Sequence, residues 1–161
     1  RRRSPMTVEP KDVSTRELIT SVIARHHRYL HRALPFLDEL AAKVARVHGS
    51  REPSLAEVSR LVTELVVTFK AHLKEEEEML FPALLAERPG DATVQLAAMR
   101  NDHDQVGALL EKVRRAAADF VAPEWACNSY RTLMKELAEL EADTLRHVHI
   151  ENHVLLPRFV G

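Results

Sequence analysis

The 161-residue sequence has little cysteine, glycine or aromatic character: one Cys, four Gly, one Trp, and aromatic residues at 5%. A single thiol, Cys127, excludes an intrachain disulfide framework and any multi-cysteine metal cluster. So few glycines argue against a strand-rich fold built on tight hairpins. No apolar run approaches the ~18 residues of a membrane span, and none follows Arg1–Arg3 to make a signal peptide or twin-arginine signal. Formal net charge is -1, which supplies no basic surplus for nucleic acid or an acidic membrane surface. A cytoplasmic protein is expected.

What is present is an alternation of charged and apolar residues at helical period. Hydrophobic residues make up 45% of the chain and charged ones 29%, a balance that suits an all-α domain with one core. Residues 1–13 are polar, contain Pro5 and Pro10, and read as a disordered lead-in to a single domain over 14–161. Ser14 or Thr15 caps helix one, whose stripe runs through Ile19, Ile23, Leu30, Leu34, Leu37, Ala41 and Val44 to His48 and Gly49. Pro35 is expected to bend it. Ser54 with Glu57 has the form of a capping box opening helix two, which extends to about Glu87 with a kink at Pro82. Asp91 is expected to cap helix three, with Leu96, Met99, His103, Val106, Leu110 and Val113 inward. Pro123 suits the first turn of helix four, whose face is Leu133, Leu137, Leu140, Thr144, His147, Glu151 and Val154. Four long amphipathic helices with short connections predict an up-down-up-down bundle.

Within those apolar stripes sit ionisable residues. His72 and Glu76 lie four apart, on one helical face with Leu61, Leu65 and Phe69 before them and Met79 and Ala83 after. His147 and Glu151 repeat the device, and His27 and His103 lie on the two remaining stripes. Counted from the turns at ~1.5 Å per residue, His27, the His72/Glu76 pair and His103 share one level. Helix four matches less closely, so it either overhangs the bundle end or begins irregularly. An unpartnered carboxylate in a core costs several kcal/mol, and six ionisable groups in one layer therefore call for a metal. Imidazole with carboxylate suits iron, manganese or zinc, and two carboxylates able to bridge favour a pair of ions about 3.5–4 Å apart.

At these residues the sequence resembles the hemerythrin-like four-helix proteins, and more closely the di-iron proteins for repair of iron centres. The resemblance rests on His27 with Leu34-Pro35, on Val44 to His48, and on His72 to Glu76 with Phe81-Pro82. It continues through His103-Asp104 with Gly107 and His147 to Glu151-Asn152 with Leu156-Pro157, covering roughly Leu18 to Phe159. It implies two non-haem irons, with His27, His72, His103 and His147 as ligands and Glu76 and Glu151 as bridges. It further implies repair or protection of iron-sulfur clusters after nitric oxide or oxidative damage, by iron donation to damaged proteins, by reaction with nitric oxide, or both. The alternatives are a module that binds or senses dioxygen or nitric oxide without turnover, and a ferroxidase-like oxidase. Members of this family often carry a preceding domain with adjacent cysteines, which is not in this sequence. Hemerythrin-type oxygen carriers have a further histidine one turn after the helix-three ligand. Here Gly107 stands in its place, expected to face the metal and leave an open edge.

The other polar residues have simpler expectations. His31, one turn beyond His27, is the one competing ligand. His48 ends helix one, where it complements the helix dipole or, by resemblance, serves a secondary metal role. His149 and His153 are turned away from His147 and face solvent. Glu75, Glu77 and Glu78 form a solvated face that guides cations.

Overall fold

The computed structural model describes residues 12–86 and 89–160. Residues 1–11 of the expected lead-in lie outside that range. Its end does not fit the expectation, because Val13 accepts a hydrogen bond from Arg158 Nη2 at 2.8 Å and packs on the apolar cluster at this end of the bundle.

Bundle helix one is built from α1 (Thr15–Val22), a wide π-turn at Ile23–His27 and α2 (Arg28–His48). Ser14 opens it with a full capping box: its Oγ accepts the Glu17 N–H at 3.1 Å and Glu17 Oε2 accepts the Ser14 N–H at 3.3 Å. Bundle helix two comprises α3 (Ser54–Glu75), a second π-turn at Glu76–Leu80 and α4 (Phe81–Leu85). Helix three is α5 (Thr93–Ala116), and helix four is α6 (Asn128–Ile150) continued by a third π-turn at Glu151–Leu155. The helices pack α6 on α2, α2 on α3 and α3 on α5, in the four-helix architecture expected.

Several helix ends differ from the sequence reading. Pro53, with no side-chain cap, precedes α3, and Ser54 Oγ donates to Glu52 Oε1 at 2.8 Å while Glu57 pairs with Arg60. The expected capping box is therefore absent. Ala92 holds the N-cap position of α5, leaving Asp91 one residue outside it. Pro123 lies before α6 in an irregular segment, its carbonyl accepting from the Ala126 N–H at 3.0 Å, and the helix starts at Asn128. That start reaches the far end of helix one, where Trp125 and Tyr130 meet His48 at 5.6 and 6.0 Å between ring centroids. Helix four thus begins irregularly and extends alongside the last turn of α2.

Helix α2 runs through Pro35 without interruption, and the departures from α-helical bonding fall elsewhere. Phe81 N–H reaches back to Glu76 O, and Leu156 N–H to Glu151 O, each spanning one residue more than an α-helical bond. Both residues immediately precede a proline, Pro82 and Pro157. A proline ring inside a helix lacks the donor and crowds the carbonyl four residues back. Two of the widened turns thus end just before a proline; the third, at Ile23–His27, has none, and Pro35 is accommodated in regular α-helix.

The core is in two parts. One apolar cluster includes Leu30, Leu34, Leu65, Phe69, Val106, Leu110, Leu137 and Leu140. The other includes Leu18, Val22, Leu80, Phe81, Leu84, Met99 and Leu155. On every bundle helix the residues between those two clusters are the buried polar ones.

Candidate metal centre

The polar layer contains His27, His72, Glu76, His103, His147 and Glu151, each no more than 5% exposed. All six residues expected from the sequence to bind metal are therefore brought to one place. Their donor atoms fall into two overlapping groups, His27–Glu76–His147–Glu151 and His72–Glu76–His103–Glu151, with atoms of each group within 4.8 Å of one another. Both glutamates belong to both groups. His72 Nε2 lies 2.7 Å from Glu76 Oε1 and His27 Nε2 3.1 Å from Glu76 Oε2, so each oxygen of this carboxylate faces a different histidine. Glu151 repeats the arrangement, with Oε2 3.3 Å from His103 Nε2 and Oε1 against His147 Nε2.

These atoms are close without being aligned for hydrogen bonding. The Nε2 of all four histidines and both oxygens of both glutamates are buried with no hydrogen-bond partner. Lone pairs directed at a shared point, rather than donors directed at acceptors, produce that combination. Leaving so many buried polar atoms unmatched costs about 1–3 kcal/mol each, a cost that a bound cation removes. Two carboxylates and four imidazoles suit a transition-metal cation such as iron, manganese or zinc.

Residues 18–159 match the hemerythrin HHE cation-binding domain family. The chain belongs to that family. It is 35% identical over 145 residues to the iron-sulfur cluster repair protein YtfE of Yersinia pseudotuberculosis serotype IB (strain PB1/+), covering 88% of this chain and 64% of that protein. It is 34% identical to the protein of the same name from Yersinia pestis (strain Pestoides F), over the same shares. The chain thus spans less than two thirds of the length of these relatives. Among the described residues no helix is long and apolar enough to cross a membrane.

The hemerythrin-family centre has an outer ring of partners that the sequence reading missed. His27 Nδ1 donates to Glu77 Oε1 at 3.0 Å, His72 Nδ1 to Asp102 Oδ2 at 3.2 Å and His103 Nδ1 to Asn152 Oδ1 at 2.8 Å. These acceptors hold the proton on Nδ1 and leave Nε2 as the ligand atom. Glu77 therefore does not belong to a solvated face; it bridges His27 and the exposed His31, whose Nε2 lies 3.1 Å away. Each outer partner is the sequence neighbour of an inner residue: Glu77 follows Glu76, Asp102 precedes His103, and Asn152 follows Glu151. That adjacency is the signal the sequence carried. His147 is different, because its Nδ1 is unpartnered. Its ring instead lies parallel to buried His26 at 5.2 Å, and His26 is anchored to Asp143 at 2.9 Å.

The remaining histidines are outside the centre. His31 binds Glu77 and does not reach the inner cluster. His48 sits with Trp125 and Tyr130, its Nε2 3.1 Å from Cys127 Sγ. His149 and His153 are exposed, with rings 4.9 Å apart. Two inward assignments are corrected. Met79 is 52% exposed because the π-turn turns Leu80 and Phe81 inward instead. Gly107 is exposed, and a Cβ there would meet nothing within 4 Å. The buried position beyond His103 is Val106, so Gly107 neither lines the centre nor makes room for close packing.

Electrostatics follow from this crowding. Burial disfavours a charged His103, yet the carboxylates of Glu151 and Glu76 outweigh it and push its pKa up to about 10. His27 and His72 are raised likewise, burial opposing and Glu76 prevailing. Glu76 is held well below the usual carboxylate range, since its histidine neighbours outweigh its complete burial. These shifts favour protons on His27, His72 and His103 and a negative charge on Glu76, and a metal cation would take the place of those protons.

Proposed function

We propose that this hemerythrin-family centre holds two iron ions, bridged by Glu76 and Glu151, and serves the repair of damaged iron-sulfur clusters. The observation that carries the reading is the pair of four-donor groups sharing both glutamates, with every inner donor atom buried and free of hydrogen bonds. Similarity to iron-sulfur cluster repair proteins supplies the direction of function.

His27 and His147 would hold one ion and His72 and His103 the other, with Glu76 and Glu151 available to both. Four protein donors for each ion would leave room at it for water or a diatomic gas. Iron bound there would supply redox chemistry, affinity for nitric oxide or dioxygen, and a store of metal for transfer. The residues of the chain fix four Nε2 atoms inward, exclude bulk water through the apolar layers on either side, and keep two negative charges at the bridging positions. The acceptors that suit such a centre are iron-sulfur proteins that have lost iron after nitric oxide or oxidative damage. The open coordination positions also fit a gas-binding module without turnover.

The test is anaerobic loading with ferrous iron, metal analysis and Mössbauer spectroscopy, followed by incubation with a nitric-oxide-damaged cluster protein. About two coupled irons per chain and recovery of the acceptor's cluster are expected. Saturation at one metal, or tight zinc indifferent to oxidant, overturns the two-iron reading. Intact iron binding with no recovery overturns repair in favour of gas binding.

A further inference from the structure

The two halves of the centre are supported unequally. His72 and His103 each donate through Nδ1 to a partner, Asp102 and Asn152. In the other half His147 Nδ1 has none. His27 depends on Glu77, which it shares with a second imidazole at the surface, His31, 52% exposed at its side chain. Loss of an outer partner lowers metal affinity about 10–100-fold, so the half containing His27 and His147 is the weaker one.

We propose that the cation of the His27–His147 half is the exchangeable member of the pair, and that His31 with Glu77 forms a surface docking position through which it is taken up and handed on. This rests on the two-ion reading above. Glu77 is placed between solvent and centre: its side chain is 29% exposed, and one oxygen contacts both the buried His27 and the exposed His31. An imidazole nitrogen and a carboxylate oxygen 3.1 Å apart are a two-donor grip on a transition-metal cation, and the cation there takes the place of the proton shared by His31 and Glu77. Two donors hold a cation loosely enough to release it. Asp102 is equally exposed, but among the described residues its imidazole partner is His72 alone, so no corresponding position is found in the other half. The groove beside His31 is lined by Ala24, Arg28 and Arg32. Two guanidinium groups there favour an anionic carrier or acceptor, such as a carboxylate chelate or a thiolate-bound cluster.

The test is release of iron from the anaerobically loaded protein to a carboxylate chelator, followed by absorbance and by residual metal content. Wild type is expected to lose its two irons in a fast and a slow phase of equal amplitude. His31→Ala should slow the fast phase severalfold, because the exit position is lost, with stoichiometry and slow phase unchanged. Glu77→Gln, which still accepts from His27 but grips a cation poorly, should do the same. If His31 and Glu77 merely brace His27, either variant leaves the fast phase unchanged or speeds it, and the proposal is overturned. Two irons leaving in one phase insensitive to His31 also overturn it while leaving the two-iron reading intact. One iron per chain before chelator is added defeats both.

Discussion

At the scale of single residues, the centre depends as much on the groups behind the ligands as on the ligands. Asp102 is hydrogen-bonded to His72 Nδ1 and so decides which nitrogen of that ring faces inward. Asp102→Ala is expected to lower cation affinity by about 10–100-fold with little change in fold, measured by competition with a chelator and by circular dichroism. Glu151→Ala removes both oxygens that serve the two halves. It should abolish magnetic coupling between the ions, whereas His149→Ala with His153→Ala, on the exposed face, should leave the coupled spectrum intact. Retained coupling without Glu151 would show that the two halves do not share it. The inner six were legible in the sequence because each interrupts an apolar stripe. Glu77 was not, since one carboxylate in the run Glu75 to Glu78 looks like its neighbours until a turn of unusual width sets its direction.

At the scale of elements, the π-turns at Glu76–Leu80 and Glu151–Leu155 are what allow a glutamate and the apolar residues after it to point inward together. Pro82 was visible as a helix disturbance, but a kink and a widened turn have the same proline signature. The phase beyond Glu76 was therefore read as Met79 and Ala83 instead of Leu80 and Leu84. Pro82→Ala restores a donor and allows the helix to close to α-helical bonding, rotating Glu76 by about 100° relative to Phe81. The variant is expected to melt no lower than wild type and to bind fewer than two cations; unchanged binding in metal analysis would show that the turn does not need its proline. Another strained element ends α5, where Ala118, Asp119 and Phe120 adopt φ of 50°, 56° and 63° without a glycine. A left-handed residue costs about 1–2 kcal/mol, so Ala118→Gly should raise the melting temperature with no effect on metal content.

For the whole molecule, a polar layer clamped between two apolar ones links stability to pH and to metal. In the metal-free protein His103 has its pKa raised from 6.5 to about 10. Its contribution to stability is then fully present below about 6.5 and lost as pH rises through about 10. His27 and His72 act in the same direction. Glu76, held low, contributes above its ordinary value of 4.5, and that contribution is lost as pH falls through its lowered value. Thermal melts of chelator-stripped protein should therefore show a maximum between about pH 4.5 and 6.5 and a steady decline toward pH 10. Cation binding displaces the same protons and should tighten over that rising range, so the loaded protein is expected to gain most over the stripped one at its alkaline end. A flat profile for the stripped protein would show that the buried histidines do not carry those protons.

Most of the helices and their apolar stripes, and the level shared by His27, the His72/Glu76 pair and His103, were legible in the sequence, because hydrophobic period and axial rise are local properties of a helix. Only the packed bundle settles which residues stand behind the ligands, that His147 and Glu151 join the same layer, and where Gly107 points. Those outcomes depend on side chains from different helices meeting across the bundle, and on turns whose widths respond to that meeting. Neither can be read from the spacing of residues along one strand of sequence.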